Sequence, residues 1–535
     1  MILKNEKGST LVLVLLIFLV LTTLGLAIAS ATINSGKRTE IREEDVTENL
    51  DALRDLKEGV AAIEAYIARE GATLINYPSK TDYDKAITNF ITNKNALPNK
   101  QYEIVDLTTN QSSYTKILQI SSSAYSQKVY ITATPSFLKY ALGSRENLTL
   151  NGSPLIEGDI YSEKTLSISN EANYIYKSEP KGVSTLLPAI KQASKIHLGD
   201  KNQPISLCSS GDCYSESKNG NLPVFEKKSS SWQNNLSIQD LGKAFSSDIK
   251  PIYEDEQAPF IDVDIYQSFI EKLSVAGFSP QALQGNTDAE KKNHIVEQIE
   301  AGQSNAGIKK ITDFKSLDKD LTTTAFLYQG EARIDVDELN LQDYQWLIID
   351  GDMLLESEGN KTMNVKGNIL ITGDINIVGN LSFNSVIYGL GNTTLKNINI
   401  TCYQNNCDQG NSGEVLILMT QGQLEVSIIN EFQNNAYKIS GYLYTASEAN
   451  IYAVGSLLYV EGGIFSKDNL IVNSYRATNE MGTSAKEIAD LKPKKETEFS
   501  RLHVTNNKRL FLNQTQGLPK VNGLEVITDR IEKKK

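Results

Sequence analysis

The chain is poor in the residues that most often carry chemistry. Its 535 residues include three histidines, four cysteines and two tryptophans. The histidines His197, His294 and His503 lie far apart in the sequence, and no HExxH motif, Walker A loop or GxSxG elbow is present. The YGLGNTTL stretch at Tyr388 lacks the third glycine of a dinucleotide fingerprint. The sequence therefore predicts a protein that is not an enzyme, with no catalytic residues, no metal ligands and no cofactor.

Basic residues are also outnumbered by acidic ones, 53 against 65. The formal net charge is −12, and the clearest basic cluster, Lys533 to Lys535, is typical of a solvated tail. An acidic body argues against a nucleic-acid groove as the main surface, so no nucleic-acid partner is expected. Hydrophobic residues make up 40% of the chain and charged residues 22%, an ordinary globular composition that can bury a core.

One long stretch has no charge at all. No charged residue lies between Lys7 and Lys37, and the apolar segment from Leu11 to Ala29 is 19 residues long. At about 1.5 Å of rise per residue, such a helix just spans a bilayer. A secretory signal has a shorter apolar stretch with small residues after it. Here the small residues, Gly8 and Ser9, come before the apolar stretch.

The Lys7-Gly8-Ser9 step followed by an apolar helix resembles the class III signal of type IV pilins and pseudopilins. It is most similar to PilX-like minor pilins and K-type tip pseudopilins. The resemblance implies cleavage after Gly8 by a prepilin peptidase and N-methylation of Ser9. It also implies a single-pass membrane protein with its body outside the cell, which joins other pilins in a surface pilus through the N-terminal helix.

The fifth mature position departs from the pilin pattern, because it holds Leu13 where most pilins have a glutamate. In the family that glutamate pairs with the N-terminal amine of a neighbouring subunit. Its absence is typical of K-type tip subunits, which have no subunit above them. The alternative is an ordinary signal anchor. Basic residues on both sides of the helix leave the orientation open by charge alone.

The four cysteines form two pairs with the same spacing, Cys208 with Cys213 and Cys402 with Cys407. Each pair encloses four residues rich in turn formers, which favours two local disulfides in an oxidising compartment. Free thiols and a metal site remain alternatives, although a zinc ribbon needs a matched second pair.

An amphipathic helix is predicted directly after the membrane segment. Its apolar stripe is formed by Val46, Leu50, Leu53, Val60, Ile63 and Ile67. Gly71 is a candidate end, and Ser35-Gly36 a candidate break. Strands are predicted over 102–108, 114–122 and 127–134, because these segments are rich in Val, Ile, Tyr and Thr and are separated by polar turns. Helix and meander together would make a small pilin-like head.

The body contains an internal repeat of the form apolar-x-Gly-x-apolar, followed by apolar-x-apolar. The copies are Ile156, Gly158, Ile160, Leu166 and Ile168; Ile371, Gly373, Ile375, Leu381 and Phe383; Ile439, Gly441, Leu443, Ala449 and Ile451; and Val460, Gly462, Ile464, Leu470 and Val472. The last two copies are 21 residues apart, and a partial copy at Ile349 lies 22 before Ile371. This spacing favours a β-solenoid, with an antiparallel sandwich as the alternative.

The fold is therefore expected to be α+β and mostly β, with a long N-terminal helix and a partly helical insertion. The insertion is predicted from three helix candidates, 236–247, 265–276 and 289–301, and from seven of the thirteen prolines. We expect it to project from the body as a displayed surface. The expected domains are a leader (1–8), a transmembrane helix (9–36), an amphipathic helix with meander (37–140), the start of the solenoid (141–180), the insertion (181–345), the solenoid (346–475) and a C-terminal segment (476–535).

Three pairs of aspartates are candidates for a functional site: Asp262 with Asp264, Asp335 with Asp337, and Asp350 with Asp352. Paired acids can bind Ca²⁺ or serve a solenoid lyase or glycosidase. They also occur on the polar faces of amphipathic strands. Convergence of Asp350, Asp352 and Asp374 in one cleft would favour an enzyme.

The sequence supports one main function and two alternatives. The main hypothesis is a minor pilin or pseudopilin that acts at a filament tip in assembly or adhesion, with an unknown surface ligand. The second is a membrane-anchored solenoid enzyme that acts on polysaccharide. The third is a bactofilin-like polymer of solenoids, which predicts end-to-end association of the body.

Overall fold

The computed structural model describes residues 9–75, 80–93, 101–108, 116–132, 135–191, 194–200, 202–220, 222–246, 252–255, 260–315, 317, 322–359, 361–405, 415–427, 434–478, 491–507, 517–519, 521 and 523–534. A long N-terminal helix precedes a body made mainly of β-strands. The predicted fold class, α+β and mostly β, is confirmed.

The first helix, α1, runs without interruption over Ser9–Ile75, 67 residues or about 100 Å. The candidate break at Ser35-Gly36 is not present, because the helix continues through both residues. The expected end at Gly71 is also wrong. A glycine inside a helix costs only about 1 kcal/mol, which packing can outweigh. Gly71 lies against Leu524, whose backbone nitrogen is 3.4 Å from the position that a Cβ would take.

The head is built on the second half of α1. A short helix, α2 (Lys80–Thr92), follows, and then an antiparallel meander of β1 (Glu103–Asp106), β2 (Lys116–Ser121) and β3 (Tyr125–Thr132). The three predicted strands are present. A fourth strand, which the sequence did not indicate, comes from the far end of the chain: Glu525–Lys533 pairs antiparallel with β3.

The head has its own apolar core. Leu56, Ile63 and Ile67 of α1 are buried against the sheet, which contributes Leu118 and Val129. Burial of this face is the main reason why the second half of α1 is held in place.

The body is one continuous stack of short strands. Within the described residues the sheet has 25 strands. They are Tyr140–Ser144, Asn147–Gly152, Leu155–Glu157, Asp159–Ser162, Thr165–Ser169, Ala189–Ile190, Lys195–Leu198, Ile205–Cys208, Ile252–Asp255, Ile308–Lys310, Ala325–Gln329, Ala332–Ile334, Glu338–Asn340, Trp346–Asp350, Met353–Glu356, Thr362–Ile371, Ile375–Gly389, Thr393–Cys402, Leu416–Thr420, Leu424–Ser427, Ala436–Thr445, Ala449–Ala453, Leu457–Ser466, Leu470–Ser474 and Leu502–Thr505.

These strands form three parallel ladders, because each turn of the chain pairs with the next turn on three faces. In the first ladder Ala325–Gln329 pairs with Trp346–Asp350. In the second, Ala332–Ile334 pairs with Met353–Glu356, and in the third, Glu338–Asn340 pairs with the start of the following strand. Apolar side chains point inward at matching positions of each turn and form one long buried core.

Pairs of antiparallel strands lie beside this stack. They are Glu171–Tyr176 with Glu179–Ser184, Tyr214–Asn219 with Leu222–Lys227, and Ala477–Thr478 with Lys492–Pro493.

The stack does not follow chain order. The next turn in space after the one that ends at Ser474 is a composite coil, because two distant segments of the chain build it. Leu502–Thr505 supplies its third-ladder strand, and residues 140–152 supply its first-ladder and second-ladder strands. The strands of 155–169 pair with this coil, and those of 189–208 pair with 155–169 in turn. The predicted insertion, 181–345, therefore supplies strands to both ends of the stack.

The predicted repeat is in register for some copies. Ile439 pairs with Val460, Gly441 with Gly462, and Ile451 with Val472. Gly462 has φ of +151°, and a Cβ there would lie 1.8 Å from the Gly441 carbonyl oxygen, so the turn requires glycine.

The copy at Ile371 occupies a different corner. Ile371 lies in the first ladder and Ile375 in the second, in register with Ile349 and Met353. Ile439, by contrast, lies in the third ladder. The predicted alignment of the Ile371 copy with the Ile439 copy is therefore wrong: the two copies lie at different corners of the coil. Both corners have the same apolar-x-Gly-x-apolar pattern, so the pattern alone does not distinguish them.

The predicted helices are present as a 3₁₀ segment Ile238–Ala244, α3 (Ile265–Val275) and α4 (Asp288–Gly302). Residues 260–302, here called the strap, do not project from the body. Phe269 and Ile299 of the strap pack against the outward side chains Trp346, Tyr388 and Tyr444 of the first ladder. The expectation of a displayed helical insertion is wrong, because this ladder is apolar on both faces and the strap covers its outer one.

Both ends of the stack are covered. Phe314 and Leu317 join the core beside the first turns, and Leu236, Leu241 and Phe245 join it at the other end. The backbone of Leu236 donates a hydrogen bond to Ile205 O at 2.8 Å. These side chains close the apolar core at each end, as capping segments do in repeat proteins.

Candidate functional site

The first half of α1 is an uncovered apolar surface. Its large apolar side chains from Leu11 to Ile33 are 49–71% exposed. The segment is long and apolar enough to cross a membrane, and its most apolar stretch is not buried by the rest of the described chain. An exposed apolar surface of this size indicates contact with lipid or with other proteins.

The threonine hydroxyls inside this segment are satisfied within the helix. The hydroxyls of Thr22, Thr23 and Thr32 donate to the carbonyls of Phe18, Leu19 and Ile28 at 2.7–2.9 Å. Back-bonded threonines carry no unmet donor into an apolar environment. The helix surface is therefore compatible with a bilayer or with a packed bundle of apolar helices.

Only the second half of α1 is anchored to its own fold. Val46 and Leu50 of the predicted stripe are 58% and 61% exposed, whereas Ile63 and Ile67 are buried. Burial begins at Ala52. About 40 residues, or roughly 65 Å of helix, therefore extend beyond the head.

The predicted processing and assembly residues lie at the start of this helix. Gly8 falls outside the described residues, and Ser9 is the first residue of α1. Leu13 is 58% exposed and lies within the apolar surface. No other acidic residue takes the place of the missing glutamate, because the chain is uncharged from 8 to 36.

Cys208 and Cys213 form a disulfide with a Cα–Cα distance of 5.9 Å. It closes a turn after the last second-ladder strand, and both residues are buried beside Tyr214 and Trp232. Cys402 is buried at the end of a strand, and Cys407 lies outside the described residues.

The pair Asp262 and Asp264 does not share a strand face. Asp262 accepts a hydrogen bond from the Tyr444 hydroxyl at 3.1 Å and forms ion pairs with Arg145 and Lys467. Asp264 is the N-cap of α3 and accepts from the Gln267 backbone at 2.9 Å. Burial, together with Asp262, raises the pKa of Tyr444 well above its ordinary value. Both acids therefore hold the strap in place.

Asp352 and Asp374 stack along one corner of the body. Asp352 Oδ1 accepts the backbone N–H of Asp374 at 2.8 Å, and Asp374 Oδ1 accepts that of Asn392 at 2.7 Å. Asp350 accepts from the Thr372 hydroxyl at 3.1 Å. These carboxylates cap successive turns, and they do not converge on a cleft.

The remaining candidates are dispersed. Asp335 and Asp337 are exposed, and Asp337 forms an ion pair with Lys361 at 3.3 Å. His294 is buried on α4. Burial lowers the pKa of His503, although hydrogen bonds to backbone groups oppose it. Among the described residues no group of three His, Cys, Asp or Glu side chains could hold a metal ion.

A polar groove of about 580 Å³ lies between the strap and the corner that joins the first and second ladders. The strap side contributes Tyr266, Asp288, Ala289 and Lys292; the corner side contributes Leu390, Asn392, Gln421, Gly422, Gln423, Ala446, Ser447 and Asp468. Burial and the nearby carboxylates Glu146 and Glu448 raise the pKa of Asp468. No sequence pattern indicated this groove, because its walls are about 100 residues or more apart in the chain.

No family model and no curated protein matches the chain. Among solved structures, it is similar to the competence-associated pilin ComZ from Thermus thermophilus. The two chains are 10% identical, the match covers 81% of this chain and 84% of that one, and the TM-score is 0.19. A TM-score this low carries no argument about fold or function, so any functional assignment depends on the helix and its contacts.

Proposed function

We propose that the protein is a pilin-like structural subunit of a type IV pilus or a related secretion filament. A prepilin peptidase cuts after Gly8, and Ser9 becomes the methylated N-terminus. The apolar half of α1 first anchors the chain in the cell membrane and then packs among the helices of other pilins. The head and body lie outside the cell.

One observation carries the proposal. A single helix is bare and apolar over its first half, and over its second half it packs on a four-stranded sheet that includes the C-terminal strand. A signal anchor requires only the bare half. The continuous, unbroken helix suits a subunit whose head must be carried rigidly by the helix that packs into the filament.

We further propose that the subunit lies at the filament tip and that it acts in assembly or adhesion, with no catalysis of its own. Leu13 supports this position, since the chain lacks an acidic group that could pair with a neighbour's N-terminal amine. Joining the middle of a shaft would leave that amine without a counter-charge in an apolar core, which is costly.

A substitution at Leu13 tests the tip position. In wild-type filaments, immunogold labelling should mark one end. Leu13→Glu should move part of the label into the shaft, because the new carboxylate can pair with the amine of the next subunit. Leu13→Gln, which is of similar size and uncharged, is the control and should keep the label at the end. Labelling of wild-type protein along the whole shaft would contradict the tip position and would leave the pilin-like proposal standing.

A further inference from the structure

The polar groove beside the strap has the composition of a ligand site. Its corner side is made of successive turns of the body, at residues 390–392, 421–423, 446–447 and 468. Adjacent turns are about 4.8 Å apart, so the four turns give a floor roughly 15 Å long. The N-terminal end of α4 forms the opposite wall with Asp288, Ala289 and Lys292.

The lining groups both donate and accept hydrogen bonds. Gln421 and Gln423 present carboxamides, and Ser447 presents a hydroxyl. The Asn392 side-chain oxygen already accepts the Gln423 N–H, so Asn392 offers its amide nitrogen. Tyr266 adds a phenolic hydroxyl, whose pKa is raised by burial, with Asp288 and Asp264 nearby. Amide and hydroxyl groups of this kind match a ligand that itself carries many hydroxyls.

The charges argue against an anionic ligand. Lys292 is the one cation among the groove-lining residues, and Asp288 and Asp468 are two carboxylates. An apolar ligand is equally disfavoured, because the lining offers few apolar side chains beyond Leu390 and the alanines.

The backbone of the floor disfavours an extended peptide. The N–H groups of Gln421, Gly422 and Ala446 donate to Gly389, Gly391 and Thr420 at 2.8–3.0 Å. Those of Asn392 and Gln423 donate to side-chain oxygens of the preceding turns. A peptide that adds to a sheet needs free main-chain donors, so recognition here falls to side chains.

We propose that this groove binds a segment of a neutral polysaccharide. Pyranose units repeat at nearly the spacing of the turns, so consecutive sugars can meet Asn392, then Gln421 and Gln423, then Ser447 on successive turns of the floor. The proposal concerns the isolated chain and does not depend on its place in a filament, so the two can fail separately.

The test uses the full-length chain in detergent and a panel of uncharged hexasaccharides: cellohexaose, maltohexaose and chitohexaose. We expect saturation-transfer NMR to show binding of at least one of them. Ala289→Trp should fill the groove from the exposed first turn of α4 and weaken that binding at least tenfold. Ala301→Trp, on the exposed last turn of the same helix, is the matched control and should bind as the wild type does.

Gln423→Ala is a second variant, because it removes one exposed carboxamide without adding bulk, and it should weaken binding severalfold. Thermal unfolding of each variant establishes that the fold is kept. Absence of binding to every hexasaccharide at millimolar concentration would overturn the proposal. So would equal binding by Ala289→Trp and Ala301→Trp, or displacement of the sugar by an uncharged Gly-Ser decapeptide.

Discussion

Replacing Leu19 with arginine is expected to remove the protein from the membrane and from filaments. Leu19 is 65% exposed near the centre of the apolar half of α1. Arginine at the centre of a spanning helix costs about 3 kcal/mol relative to leucine on insertion scales, or roughly a hundredfold in the insertion equilibrium. Membrane fractionation and recovery in sheared filaments measure the two losses.

The matched control for this substitution is Leu50→Arg. Leu50 has nearly the same exposure, 61%, but lies in the charged half of the helix. It should leave membrane insertion unchanged, because the position lies outside the apolar span. Equal effects of the two substitutions would mean that the apolar half of α1 is not what holds the protein in the membrane.

Ending the chain after Tyr475 should prevent both the head and the body from folding completely. This truncation removes Leu502–Thr505, whose Leu502 and Val504 are fully buried in the composite coil. It also removes Glu525–Lys533, the last strand of the head sheet. The truncated chain should be degraded rapidly by trypsin and should show no cooperative thermal transition.

A shorter truncation separates the two contributions. Ending the chain after Gly523 removes the head strand and keeps the composite coil, so the body should still unfold cooperatively. Glu525 is also lost, and with it a buried ion pair to Lys139 at 2.7 Å and a hydrogen bond from Ser136 at 3.0 Å. The head should therefore loosen from the body. Normal protease resistance of both truncated chains would contradict the composite coil.

A point variant tests the same coil without shortening the chain. Val504→Asp places an unpaired carboxylate in an apolar core, which should cost about 4 kcal/mol or more. Urea denaturation monitored by circular dichroism measures this loss. The loss in free energy of unfolding should be as large as the loss caused by Val365→Asp. Val365 is an equally buried position in an uninterrupted part of the stack.

Local patterns predicted several elements of this fold. The missing charge between Lys7 and Lys37 marks the apolar helix, and the alternation near residues 102–134 marks the meander. The glycine pattern at Ile439 and Val460 identifies adjacent turns that do pair. Each of these signals lies within a few dozen residues, where periodicity reports directly on burial.

Contacts between distant segments could not be predicted. The composite coil joins strands about 350 residues apart, and the head sheet joins β3 to a strand about 400 residues away. For the same reason, neither the groove nor the packing of the strap on the first ladder could be predicted, because each joins segments that are far apart in the chain. Ser35-Gly36 and Gly71 suggested a break and an end of the helix for a different reason. The low helix propensity of glycine is weak, and packing and the continuity of the helix outweigh it.

The intact mass of protein recovered from sheared filaments shows whether the chain is processed and assembled as a pilin. We predict a chain that begins at Ser9 with one added methyl group. Gly8→Val should give a precursor longer by eight residues that stays in the membrane fraction, because the peptidase needs a small residue before the cut. A mature N-terminus after Ala29 or Ala31, or an uncut chain in the wild type, would mean that the protein is not processed as a pilin.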